Sequence, residues 1–479
     1  MKRICYRKNA DFARIFSLAD LTDLADFYFT QIKLLFNLIC SICKICGNNY
    51  SWRNKKIRIN PRFRDSESVK SASKNYDYKI FNMKNVSFIS LILGFASLVT
   101  ACKPGINPQA KTTSTSTQKL ETRYKMLLDY PVDSMSMPRS MNVKSLEIRK
   151  VPSRDWTSGF FAGNLWQLYR LTGDSKYKEQ AQKWTRFSKK ESVNSNSHDV
   201  GFKVFCSFGE ALKVENKKEY EEVIIKGAET LCTRFNPKVG SIRSWDFNKE
   251  IWDYPVIIDN MMNLELLFEA SKLSGNNKYR DVAIKHANTT LKNQFRADNS
   301  CYHVIDYNPN TGEVRKKTTL QGYNDDSVWA RGQAWAVYGF TMSYRYTKDP
   351  AYLKQAEATA KFFMTNKNLP EDGIPYWDFK DPSIPNAARD VSAAMVMASA
   401  LYELYGYTKN DTYLAFADKM MASVQTDKYI LDTTIKAPFL FDHSTGNWPK
   451  HDEIDEPIIY ADYYFLEALI KVQRLKGSK

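Results

Sequence analysis

From about residue 118 to the C-terminus, the apolar residues fall into two alternating kinds of helical segment. One kind is apolar nearly all round, as in Ala393 to Tyr405. The other is apolar on one face only, as in Tyr279 to Phe295, where Val282, Ala283, His286, Ala287 and Leu291 recur at helical spacing. A helix apolar on every side is buried on every side, whereas an amphipathic one borders water. The pattern predicts an inner and an outer layer of helices.

Short turns join the two kinds. Leu171-Thr-Gly-Asp-Ser-Lys-Tyr177 recurs as Leu273-Ser-Gly-Asn-Asn-Lys-Tyr279, with weaker copies ending at Tyr220, Tyr352 and Tyr413. Glycine ends one helix in a left-handed residue and Asp or Asn starts the next, so each copy reads as a helical hairpin. Five hairpins plus single helices near 118–129 and 460–474 make about twelve, enough to close a ring. The expected fold is all-α, one (α/α)6 barrel over residues 118–476. An open helical solenoid fits less well, because the repeat spacing is irregular and the inserts are long. A small β-hairpin is expected within 300–318, around Asn308-Pro-Asn-Thr-Gly312. The segments leading from an outer helix to the next inner one are long: 191–199, 235–258, 296–327, 367–388 and 426–459. They carry most of the His and many Trp, Asp and Arg residues, and long loops at one rim of a barrel are where a site belongs.

The N-terminal fifth is different. Met83-Lys-Asn leads into an apolar run, Val86 to Val99, ending Val99-Thr-Ala-Cys102. A basic start, an apolar stretch and small residues before a cleavage point form a secretory leader, and Val-Thr-Ala-Cys resembles a bacterial lipobox. Residues 83–101 are therefore expected to be a lipoprotein signal and Cys102 the lipidated residue. Residues 102–117 would be a tether, and the protein would be exported and held at a bacterial membrane by lipid alone. As a transmembrane span the run is too short. Residues 1–82 read as a poorly structured upstream extension, with translation starting at Met83. This part also distorts the charge balance. The chain carries +16, of which residues 1–102 contribute +10, leaving +6 for the rest. A mild positive balance suits an anionic substrate. No Lys/Arg cluster with interleaved aromatics argues for nucleic acid. Cys40, Cys43 and Cys46 have metal-like spacing without a fourth ligand nearby, so no metal or cofactor is expected. Cys206, Cys232 and Cys301 are too few for a disulfide framework.

Two carboxylates each open an apolar inner helix directly after an insert: Asp199, in His198-Asp-Val-Gly-Phe202, and Asp259, in Val256-Ile-Ile-Asp-Asn-Met-Met-Asn263. An aspartate there is commonly only an N-cap. Around Asp259, however, Ile257, Ile258, Met261 and Met262 would desolvate the carboxyl and raise its pKa, with Asp199 pushing the same way. A third cluster runs from Gln321 to Trp335. If a helix begins near Ser327, Arg331 and Trp335 lie one turn apart and could cradle a carboxylate-bearing ring.

Five motifs in order, Asp155-Trp-Thr-Ser-Gly-Phe-Phe-Ala-Gly163, His198 to Phe202, Asp259 to Asn263, Trp329-Ala-Arg-Gly-Gln-Ala-Trp335 and Ala461 to Leu469, resemble the unsaturated glucuronyl hydrolases of glycoside hydrolase family 88. The resemblance spans about 120 to 475 and implies an (α/α)6 barrel. It implies that Asp259 is the catalytic acid/base and Asp199 a second essential aspartate contacting sugar hydroxyls. Trp156, His303, Gln321, Arg331, Trp335 and Trp377 match substrate-binding positions, His303 and Trp377 by spacing more than by motif. Leu320 stands where a His is expected. Ser444 and Lys450, in the last insert, would meet a sulfate. The implied reaction removes a non-reducing-end unsaturated uronic acid: protonation at C4 of the vinyl ether, hydration at C5, and release of the aglycone. Alternatives are an unsaturated rhamnogalacturonyl hydrolase of family 105, acting on pectin fragments, and a non-catalytic oligosaccharide-binding lipoprotein.

Overall fold

The computed structural model describes residues 115–477. The upstream extension, the leader, Cys102, the three clustered cysteines and most of the tether lie outside these residues. The last tether residues, 115–117, belong instead to the first helix, α1 (Thr115–Leu128).

Five helical hairpins follow: α2 (Ser158–Thr172) with α3 (Ser175–Thr185), α4 with α5 (Lys218–Cys232), α6 (Asn260–Ser274) with α7 (Asn277–Asn293), α8 (Ala330–Thr347) with α9 (Pro350–Met364), and α10 (Val391–Thr408) with α11 (Asp411–Val424). Here α4 is a π-helical stretch, Gly201–Gly209, continued by one α-turn, Glu210–Leu212. The last helix is α12 (Ile459–Gly477). The even-numbered helices pack one against the next and α12 returns onto α2, closing the inner ring. This closure rules out the open solenoid.

The turn chemistry explains the repeat. Tyr177, Tyr220, Tyr279, Tyr352 and Tyr413 are each the third residue of an outer helix, and each is buried. Asp174, Asn276, Asp349 and Asn410 cap four of these helices, each accepting the backbone N–H two residues on. The preceding inner helices end in left-handed residues, Gly173, Gly275, Lys348 and Lys409. The repeat is thus a stop signal, a start signal and an aromatic peg that seats the outer helix on the ring.

The inserts carry the short strands: β1 (Met137–Met141) with β2 (Ile148–Val151) before α2, then β3 (Phe235–Asn236) with β4 (Ser241–Ile242), and β8 (Ser444–Asn447) with β9 (Asp452–Glu456). The hairpin expected within 300–318 is present as β6 (Val304–Tyr307) and β7 (Val314–Thr318). A third strand, β5 (Pro255–Ile257), extends it antiparallel to β6, with Ile257 opposite Val304. Three residues are too few to show a period in sequence. Their pairing nevertheless fixes the approach to Asp259, because the Ile258 N–H donates to the His303 carbonyl at 3.1 Å.

Close backbone approach sets the spacing of the first inner helices. A Cβ on Gly159 would lie 2.1 Å from the Phe202 carbonyl oxygen, and one on Gly201 2.6 Å from Asn263 Oδ1. That same Asn263 oxygen accepts the Phe202 N–H at 2.9 Å. Asn263, one turn beyond Asp259, therefore ties the helix that follows Asp199 to the helix that follows Asp259.

Candidate active site

Every inner helix is entered from an insert, so six helix N-termini share one rim. Their aligned dipoles favour a negative group above the ring. Asp259 stands here, directly before α6. It occupies the N-cap position but its side chain makes no capping bond. Its Oδ2 is buried and has no hydrogen-bond partner. Burial pushes the carboxyl up to about 7; Asp199 adds to the rise, while Arg331 and the Trp335 indole N–H oppose it. The capping explanation therefore fails for Asp259. What remains is a carboxyl that keeps its proton near neutrality.

His303 faces it. The Nδ1 of His303 accepts the backbone N–H groups of Leu320 and Gln321, both at 3.0 Å. An atom accepting two amides holds a lone pair, so the neutral ring carries its proton on Nε2. That nitrogen lies 3.7 Å from Asp259 Oδ2. Burial, together with Arg331 and His198, pushes the imidazole down to about 3, keeping it neutral. Spacing alone had placed His303, and the structure puts it beside the acid. Just before the neighbouring helix, Asp199 Oδ1 lies 3.2 Å from His198 Nε2.

Arg331 is buried in the first turn of α8, which begins at Ala330 rather than near Ser327. Arg331 and Trp335 lie one turn apart in α8, as expected, and each has ring partners of its own. The guanidinium lies over Trp329, 4.6 Å from the ring centre, with Tyr460 at 5.4 Å. It bonds to Asp390 and the Thr445 and Gly446 carbonyls, each at 2.6 Å. Arg331 is thus a fixed cation that ties the β8–β9 hairpin to the ring. Trp335 packs instead against Phe202 and Tyr464 and turns its N–H toward Asp259.

The other expected residues divide. Trp156 is half-buried among Phe160, Phe202 and Tyr460, and Gln321 donates to the Gly446 carbonyl at 3.1 Å; both border the rim. Trp377 does not present a free face. It is buried, its indole N–H bonds to Asp381, and Trp448 lies flat on it, 5.1 Å between ring centres and 2° from parallel. Ser444 is fully buried at the start of β8, whereas Lys450 is exposed in the turn between β8 and β9. Leu320, in the place of the expected His, packs against Trp245, Trp252, Ile257 and Val304.

Sequence reasoning missed Asp390, Tyr460 and Trp448. It also missed the brace in which Arg139 bridges Glu453, by two bonds at 2.7 and 2.8 Å, and Asp155 at 2.9 Å. Asp390 left a trace, an acid before an apolar run, and Tyr460 opens the expected last helix without marking itself as a site residue; Trp448 and the brace sit in segments without period.

The family model for Glycosyl Hydrolase Family 88 matches residues 132–364. The unsaturated glucuronyl hydrolase of Formosa agariphila is 55% identical over 82% of this chain and 99% of its own. This chain belongs to glycosyl hydrolase family 88. The unsaturated chondroitin disaccharide hydrolase of Streptococcus pyogenes serotype M1 is 32% identical over 74% of this chain and 90% of its own. An unsaturated glucuronyl hydrolase specific for heparin, known from its crystal structure, superposes with a TM-score of 0.72 at 41% identity, over 76% of this chain and 97% of that one. The part of this family 88 chain that the model matches holds Trp156, Asp199, Asp259, His303, Gln321, Arg331 and Trp335, and stops before Trp377, Ser444 and Lys450.

Proposed function

We propose that this enzyme removes a 4,5-unsaturated uronic acid from the non-reducing end of glycosaminoglycan-derived oligosaccharides. One observation carries the reading: Asp259 is a buried, uncapped carboxyl holding its proton near neutral pH beside a neutral His303. Asp259 gives its proton to C4 while the C4=C5 electron pair forms the new C–H bond. Positive charge develops at C5 and on the ring oxygen. Water adds at C5 and its proton returns to Asp259, restoring the acid. The C5 hemiketal opens, and the exposed hemiacetal at C1 releases the aglycone. The glycosidic carbon is never attacked, so the carboxylate-separation rule of ordinary glycosidases does not apply. Six helix N-termini and the Arg331 cation favour the uronate over a neutral sugar. In this reading Asp199, Trp156 and Gln321 hold the ring. Ser444 and Lys450 are not needed for the reaction.

Family membership and relatives named for heparin and chondroitin products support this substrate class over pectin. The test is a screen of unsaturated disaccharides from hyaluronan, chondroitin, heparin and pectin, read by loss of the conjugated ultraviolet absorbance. Turnover of the first three classes or some of them is expected. Turnover of the pectin product alone would shift the reading to the rhamnogalacturonyl reaction, and binding without absorbance loss would leave a non-catalytic receptor.

We also propose export and lipid anchoring through Cys102, which the apolar run Val86–Val99 and the Val-Thr-Ala-Cys ending support. Metabolic labelling with a fatty acid should mark the wild-type chain and not Cys102→Ser; equal labelling would refute the anchor.

A further inference from the structure

Trp156 stands just before α2 and Arg331 in the first turn of α8, yet both rest on the Tyr460 ring. The two ring centres lie 5.0 Å apart, and the guanidinium lies 5.4 Å from the centre of the tyrosine. Each is also held from outside the inner ring. On the Trp156 side, Asp155 uses both of its oxygens. Its Oδ1 accepts the Thr157 N–H at 2.9 Å and the Thr157 hydroxyl at 2.7 Å, and its Oδ2 accepts from Arg139 of β1 at 2.9 Å. Both chain neighbours of Trp156 are therefore pinned, and the Arg139 guanidinium itself lies 5.9 Å from the centre of the indole.

On the Arg331 side, the Gly446 carbonyl takes Arg331 at 2.6 Å and Gln321 at 3.1 Å. Glu453 lies directly across the β8–β9 hairpin from Gly446, between the pairs Thr445 with Ile454 and Asn447 with Asp452. A Cβ on Gly446 would stand 2.8 Å from Glu453 Cβ and 2.5 Å from its Oε2. Glu453 is thus folded over the glycine, and no larger residue fits beneath it. It is an unexpected residue for the place. Its φ is +55°, where glycine and asparagine are favoured, and its side chain is buried. What holds it there is Arg139, through a two-pronged pair at 2.7 and 2.8 Å. Burial works to push the Glu453 carboxyl up, but Arg139 outweighs it, and Arg149, 3.4 Å from Oε1, adds to the lowering.

We infer that Arg139 and Glu453 are positioning residues for the reaction: the pair fixes Trp156 relative to the carbonyls that hold Arg331, and so sets the width of the opening a sugar ring enters. This rests on the reading of Trp156 as a group that holds the ring. A guanidinium is required, because its planar fork meets Glu453 with two donors while a third reaches Asp155. An ammonium is a point charge that does not keep both carboxylates at these bearings. A left-handed glutamate persists only where its surroundings over-determine it, and such residues gather at sites of function.

The test is steady-state kinetics on the unsaturated disaccharide turned over fastest in the screen above, at a temperature where circular dichroism shows every variant folded. Arg139→Met should raise KM about tenfold while kcat falls less than about threefold. The alkaline limb of kcat/KM should stay where Asp259 sets it. Arg139→Lys should not restore KM, since charge without the fork leaves one carboxylate unheld. In a Trp156→Ala background, Arg139→Met should change KM by less than about twofold, because a width between two walls is lost once one wall is gone. Unchanged KM in Arg139→Met, recovery by Lys, or full additivity with Trp156→Ala each overturns the proposal. Glu453→Gln keeps the shape and a neutral acceptor, and is the milder probe should Arg139→Met not fold. Its KM should rise about threefold, and an unchanged KM overturns the proposal. Trp156→Ala separates the questions. If its KM is that of the wild type, the reading of Trp156 fails; if its KM is raised and Arg139→Met still multiplies it in full, the brace alone fails.

Discussion

The two rims of the barrel bury the same kinds of charge and treat them in opposite ways. At the C-terminal ends of the inner helices, Arg345 pairs with Glu265 and Glu403, Lys471 bridges Glu403 and Glu467 at 3.0 and 3.2 Å, and Glu210 takes Arg170 and Lys213. Burial pushes Glu210 and Glu403 up, but their cations outweigh it and both carboxyls lie below the usual range. At the N-terminal rim, Asp259 Oδ2, His303 Nε2, His198 Nε2 and Trp335 Nε1 are all buried without hydrogen-bond partners. Buried polar groups are nearly always satisfied by the fold, so a cluster that is not marks a surface built for something outside the chain. A buried charge alone does not locate an active site; at this rim several unsatisfied groups gather around a carboxyl whose pKa lies near neutrality.

The largest test of that contrast is Asp259→Asn. Losing the proton donor should lower kcat by about a thousandfold or more, read by the ultraviolet assay. The fold should gain rather than lose. Because the folded-state pKa lies above the usual 3.8, Asp259 favours folding in acid, and this contribution disappears as pH rises through about 7. The Asn variant should therefore melt higher than wild type at pH 8, by up to about 4 kcal/mol in stability. Wild-type turnover, or a lower melting temperature at pH 8, contradicts the assignment. At the far rim, Arg345→Met strands two buried carboxylates and should cost about 3–5 kcal/mol in urea unfolding. Its kcat at a temperature where it remains folded should be unchanged. A matching fall in kcat would show that the rims are coupled.

Smaller effects sharpen the picture. In the wild type, kcat/KM should fall as pH rises above about 7, because the protonated acid is the active form. Trp335→Phe removes an N–H that favours the carboxylate and should shift that fall to higher pH by less than about one unit; a shift to lower pH would reverse the argument. Lys450→Ala should change kcat/KM by about twofold at most, and only for sulfated substrates, as for an exposed charge.

The same contrast explains what could be read from sequence. Helix pattern and turn chemistry are local, so the repeat ending in Tyr177 and Tyr279 disclosed the hairpins and the closed ring. Asp259 and Asp199 were legible because each breaks an apolar run at a helix start. What failed depended on partners distant in sequence. Arg331 and Trp335 stand one turn apart as expected, but the contacts of Arg331 with Tyr460 and Asp390 come from segments far along the chain and left no local signal. Trp448 of the β8–β9 insert lies over Trp377, and the four left-handed non-glycine residues of that insert, His443, His451, Glu453 and Asp455, follow no rule of propensity.

The π-helical stretch after Asp199 has a consequence for how the chain tolerates change. A π-turn holds one residue more than an α-turn needs, so Gly201–Gly209 behaves as a stored insertion between Asp199 and the anchored Glu210. Deleting one residue there would let the helix relax into regular α geometry with its lower end unmoved. The upper end would keep its phase about the axis, because the surplus residue lay within the widened turn, and Asp199 and His198 would stay at the rim. The surplus residue is thus a place where the length of the chain can change while the second carboxylate keeps its aim.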